Sequence, residues 1–120
     1  AGVREVAVRA LARVAETGDQ EAIGAAIDTL KDRDWRVRAA AAKALAQISK
    51  SGDQQCLVAL AAALNDRYDG PTEAAVEAIA RIADDGDELS IAALGEFLKR
   101  PNRTCVRAAA KRALARLSGG

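Results

Sequence analysis

Apolar residues recur along this chain at i, i+3, i+4 and i+7, the spacing of one face of a helix. Val37, Ala41, Ala44, Leu45 and Ile48 form one such stripe, and Leu57, Leu60, Ala61 and Leu64 form a shorter one. Gly52-Asp53 separates them, and the same dipeptide stands 34 residues to either side, at Gly18-Asp19 and Gly86-Asp87. Leu30, Leu64 and Leu98 keep that period. So do Ala7, Ala41 and Ala75, and Val14, Ile48 and Ile82, whose fourth members, Ala110 and Leu117, come one residue late. Each unit predicts a helical hairpin. First-type helices are expected near residues 3–16, 35–49, 71–83 and 104–118, and second-type helices near 19–31, 53–65 and 87–99. The Gly is expected to end the first helix in the left-handed conformation, and the Asp to accept the free N–H groups that open the second. Pro71 fits the first turn of a helix.

One hairpin this short cannot bury its own apolar stripe, so the units must stack into a solenoid. The expected repeats are 3–34, 35–69 and 70–103, with a terminal half-repeat at 104–118, all in one domain over residues 1–120. One register position reads Val8, Ala42, Val76 and Lys111. The first three can face a neighbouring repeat. Lys111 is costly to bury, so the last helix reads as a polar cap. The first helix shows Val3, Val6, Val8 and Val14 without such a charge, and further repeats or another element are expected to cover them.

Composition sharpens this picture. Thirty of the 120 residues are Ala, against one each of Trp, Tyr and Phe. Ala favours helix over strand, which sets aside sandwiches and barrels. No charge-free run approaches the ~20 residues of a membrane span. The chain contains no His, which removes the Ser–His and Cys–His nucleophile pairs and the commonest metal ligand. Two Cys cannot make a tetrathiolate zinc site. No catalytic residue, metal or cofactor is assigned. Cys56 and Cys105 open helices of opposite type and direction, so they are expected at opposite ends of the layer, unbridged, in a reducing intracellular, cytoplasmic setting.

The segment Leu30-Lys31-Asp32-Arg33-Asp34-Trp35-Arg36-Val37-Arg38-Ala39-Ala40 resembles the HEAT-repeat pattern L-x-D-x-D-x-x-V-R-x-A-A, most closely the short repeats of the phycobilisome-lyase type. The second junction, Leu64 to Thr72, keeps Asp66 and loses the Val-Arg. The third, Leu98 to Arg107, keeps Leu, Val and Arg but has Arg100 where Asp32 stood. Tetratricopeptide repeats share the period, but their Trp-Leu-Gly-Tyr pattern is missing. The resemblance implies an all-α, right-handed α-solenoid (an alpha-alpha superhelix) of about three and a half hairpins. It also implies a hydrogen-bonded ladder between units, falling on Asp32, Arg38, Asp66 and Arg107, with Arg4 as the matching Arg of the first unit. Partners would sit on the concave face lined by second-type helices, at Glu21, Gly24, Asp28, Gln55, Val58, Ala62, Leu89, Ala92 and Glu96. Its middle row is small and weakly apolar and its edges are acidic, which suits a helix or extended segment of a protein partner.

Three functions compete. The first is a non-catalytic, monomeric protein-interaction or scaffold module, standing alone or as part of a longer chain. The second is a nucleic-acid-binding module, because Lys99 to Gly120 holds seven basic residues and no acidic one. Arg103, Arg107 and Lys111 are its candidate phosphate contacts. Against it, Arg107 and Lys111 flank one side of the apolar face and Arg112 and Arg116 the other, and no aromatic residue there is available for stacking. The third, implied by the resemblance alone, is a fragment of a bilin lyase. Trp35, in a turn, is either a protein-binding hot spot or folded onto the adjacent turn near Tyr68. The acidic run Asp84-Asp85-Gly86-Asp87-Glu88 lacks the alternation of a calcium loop and reads as a solvated turn.

Overall fold

A computed structural model describes residues 2–100 and 104–119, with the backbone alone at Thr104 and Cys105. It shows seven helices among those residues: α1 (Gly2–Val14), α2 (Gln20–Thr29), α3 (Trp35–Ile48), α4 (Gln54–Ala63), α5 (Asp69–Ile82), α6 (Glu88–Leu98) and α7 (Thr104–Leu117). The odd-numbered helices form one layer and the even-numbered helices the other; successive odd helices pack on one another, and α3, α5 and α7 each pack on the even helix just before them in the chain. Several expected ends move by one or two residues, α2 closing at Thr29 and α4 at Ala63. α1 stops at Val14 rather than 16, and α5 opens at Asp69 rather than 71, which places Pro71 in the first helical turn, where its missing N–H has no intrahelical partner to lose.

Second-type helices open as their sequence predicts. Asp19 accepts from the N–H groups of Glu21 and Ala22, Asp53 from Cys56 and Asp87 from Ser90. The glycines do something else. The first-type helices end at Val14, Ile48 and Ile82, four residues before each glycine, and the C-caps Ser49 and Ala83 are extended. Gly18, Gly52 and Gly86 do have positive φ, of 85°, 78° and 82°. That conformation turns each N–H toward the following repeat, where Gly18 donates to the Ile48 carbonyl, Gly52 to Ile82 and Gly86 to Leu117, each at 2.6 Å. Each glycine thus satisfies an orphan carbonyl at the end of its neighbour's helix.

The core runs the length of the stack. Val37, Ala41, Ala44 and Ile48 of α3 are buried, as are Pro71, Ala75, Ala78 and Ile82 of α5 and Val106, Ala110, Ala113 and Leu117 of α7. This stripe is turned toward the preceding repeat. Alanine at its two central positions lets first-type helices approach closely, while Leu57, Leu60, Leu94 and Phe97 fill the space between the layers. The same register in α1 is Val3, Ala7, Ala10 and Val14, all exposed. Val8 does not belong with them. It is buried against the hydrophobic core, so only Val3, Val6 and Val14 of the four valines stand uncovered.

Candidate docking groove and the junction ladder

The junctions between repeats carry most of the charged chemistry. Asp32 accepts from Arg4 at 2.7 Å and from the Asp34 N–H at 2.9 Å. Asp66 stands in the same register, accepting from Arg38 at 2.5 Å and from the Tyr68 N–H at 2.9 Å. Arg38 also donates to the Asp32 carbonyl at 2.8 Å, so one guanidinium spans two junctions. Arg107 occupies that register in α7 and donates to the Leu98 and Arg100 carbonyls at 2.6 and 2.7 Å. Thr72 stands where Arg38 and Arg107 do, and its hydroxyl donates to the carbonyls of Asp66 and Tyr68. The Arg4 hydrogen bond, followed by that of the Asp34 N–H, holds the Asp32 carboxyl below the usual carboxylate range.

Trp35 is not in a turn. It is the first residue of α3, and its ring stacks on Tyr68 of the next junction, centroids 6.0 Å apart and planes 24° from parallel. Arg67 and Arg38 lie over the Tyr68 ring at 5.3 and 5.9 Å. Trp35 is still 41% exposed, so the stack leaves part of the indole on the surface.

The second-type helices touch one another far less than the first-type helices do, and a groove opens between α2 and α4 near their C-terminal ends. It encloses about 340 Å³. Ile27 and Leu30 form one wall, Ala59, Ala62 and Ala63 the other, and Lys31 and Asp66 stand at the rim. Of the nine residues expected to meet a partner, Ala62 lines this groove. Val58, one turn before Ala62, is 55% exposed. Glu21, Asp28, Gln55, Leu89, Ala92 and Glu96 are exposed and Gly24 is half-buried. Ile27, Leu30, Ala59 and Ala63 were not among the expected contacts. Their signal was a size mismatch, with bulky residues on α2 facing alanines on α4.

The basic C-terminal segment is largely engaged with the protein itself. Arg107 binds two carbonyls, Lys99 pairs with Glu96 at 3.0 Å, and Arg100 reaches the Leu64 carbonyl and the Asn65 side chain. Arg116 donates to the Ala80 carbonyl and pairs with Asp85 at 3.6 Å. Lys111 and Arg112 are exposed, and Arg103 lies outside the described residues. The acidic run has local duties, with Asp85 on Arg116 and Asp87 capping α6. Cys56 is buried and unbridged, 2.9 Å from the Ser49 hydroxyl, and burial pushes its thiol pKa up, which makes it a poor nucleophile. The Cys105 side chain lies outside the described residues. No described helix is long and apolar enough to cross a membrane.

Stacked two-helix units with small apolar contact stripes and an Asp–Arg ladder define an α-solenoid. Residues 1–80, two-thirds of the chain, match the family described as HEAT repeats, and the chain belongs to that family. No curated protein matches it with significance.

Proposed function

We propose that this chain seats a short helix or extended segment of a protein partner on the face of α2, α4 and α6. HEAT repeats are generally protein-interaction and scaffold modules, and the family is typically non-enzymatic. The observation that supports this reading most is the groove of about 340 Å³ with an apolar floor between α2 and α4. It is an open apolar slot with one cation and one carboxylate at its rim, so it suits an aliphatic anchor rather than a charged substrate. Glu21 and Asp28 are exposed on α2, the helix that forms one wall of the groove, so basic residues flanking the anchor complete the match.

Selection from a displayed peptide library tests this reading. Enriched peptides are expected to carry an aliphatic anchor beside Lys or Arg, and to lose binding to the Ala62→Glu variant while its Tm stays unchanged. Library peptides that bind Ala62→Glu as well as the parent chain would refute the groove assignment. The nucleic-acid reading rests on exposed Lys111 and Arg112. Titration with labelled DNA and RNA at two salt concentrations separates it, since phosphate binding falls steeply with salt and would be lost in Lys111→Ala/Arg112→Ala. The bilin-lyase reading predicts a visible-absorbing complex when a bilin is added.

A further inference from the structure

The first repeat departs from the others at one register. The stripe Val37, Ala41, Ala44, Ile48 is buried in α3, and its equivalents are buried in α5 and α7. In α1 the same register exposes Val3 at 84% and Val14 at 80%, with Val6 beside them at 62%. The residue types match those of a repeat interface, yet they are exposed. Two polar features share the register. The carbonyls of Ile48, Ile82 and Leu117 each accept a glycine N–H from the preceding repeat, whereas no described residue donates to the equivalent Val14 carbonyl. Arg38 and Arg107 each donate to a carbonyl of the preceding junction, whereas Arg4 has only Asp32 among the described residues and is 44% exposed.

We infer that the exposed face of α1 is a docking surface for one more helical hairpin of the same repeat type, stacked in register as the unit ahead of α1 in a continuous solenoid. That occupant supplies three things: an apolar face like Val8, Ala42 and Val76, a left-handed glycine whose N–H meets the Val14 carbonyl, and a junction carbonyl for Arg4. The interface it forms continues the one already built three times within the chain. A second copy fits less well. Stacked head to tail, it would bring Lys111 to the position that Val8, Ala42 and Val76 hold. Stacked face to face through α1, it would offer a 13-residue helix, a narrow strip beside the ~1,200 Å² that specific interfaces between separate chains bury. A hairpin tethered to α1 needs less area, because its effective concentration is high.

The test compares the chain with an extended form in which a copy of residues 35–68 precedes residue 1. In that arrangement Tyr68 of the copy takes the place Asp34 holds before Trp35. Amide exchange in α1 is expected to slow by about tenfold or more in the extended form, with α7 unchanged as the control. Val3→Arg/Val14→Arg in the extended form is expected to abolish the slowing while helicity by circular dichroism is kept. The same pair in the original chain is expected to leave Tm where it was. Unchanged α1 exchange in the extended form would overturn the inference. So would sedimentation of the original chain as a dimer that Val3→Arg/Val14→Arg dissolves, since that assigns the face to a second copy. The peptide selection on the α2–α4 groove does not involve this face, so either reading can fail alone.

Discussion

Asp32 illustrates how one side chain serves two structural levels. It accepts an N–H from its own junction and a guanidinium from the preceding helix. The Arg4 guanidinium holds its folded-state pKa below the ordinary carboxylate range. The carboxylate therefore stabilises the fold above the unfolded-state value, and that contribution is lost as pH falls through the lower folded-state value. Asp32→Asn is therefore expected to lower stability at neutral pH and to converge with the parent chain in strong acid, below the folded-state value. Urea melts at both pH values check this; a constant difference would show that charge is not the cause. Ser90 presents the opposite case. Its hydroxyl is buried and lies near the Asp87 carboxylate, but makes no hydrogen bond of good geometry to it. The two preceding units place Ala22 and Cys56 in that register, and Cys56 has Ser49 beside it, where Ser90 has Ala83. Ser90→Ala is expected to be neutral or to stabilise by about 1 kcal/mol, because an unsatisfied buried hydroxyl costs about 1–3 kcal/mol. A thermal melt in which Ser90→Ala lowers Tm by several degrees would refute it.

Each glycine ties its hairpin to the next repeat, and two of these glycines differ in an informative way. A Cβ at Gly52 would meet the Asp84 carboxylate at 2.4 Å, whereas a Cβ at Gly86 would meet nothing within 4 Å. Both substitutions to Ala incur the left-handed penalty of about 1–2 kcal/mol. Gly52→Ala must also displace Asp84, so it is expected to be the more destabilising, by urea titration. Equal losses would mean that the carboxylate moves aside without cost. These elements were legible in the sequence because the 34-residue period repeats capping residues together with the stripes they delimit. The glycine's reach to the next repeat was not legible, since a Gly-Asp pair reads the same whether its N–H closes its own helix or a neighbour's. Most of the groove was hidden for a similar reason. Outward rows of α2, α4 and α6 can be drawn on a helical wheel, but a slot between two helices depends on their separation, which Ile27 and Leu30 set against Ala59 and Ala63. Trp35 was legible as an anomaly, and only geometry placed it on Tyr68.

In a stack, identical residues in identical registers need not be worth the same. Val3 and Val37 occupy the same place in successive first-type helices, and sequence alone gives them equal weight. Yet Val37 is wholly buried against the preceding repeat and Val3 is 84% exposed. If stability is a sum of hairpin terms and nearest-neighbour interface terms, Val37 contributes to an interface and Val3 only to its own helix. Val37→Ala is then expected to cost about 2 kcal/mol, the lower end of large-to-small core substitutions, since it removes buried methyl groups and leaves a cavity between α1 and α3. Val3→Ala is expected to stay within about 0.5 kcal/mol, the range of exposed substitutions, with Ala's better helix propensity offsetting any lost contact. Paired urea titrations decide this directly. Equal losses at the two positions would show that something covers the α1 face in solution, because only a partner there could give Val3 the energetic role that Val37 has inside the stack.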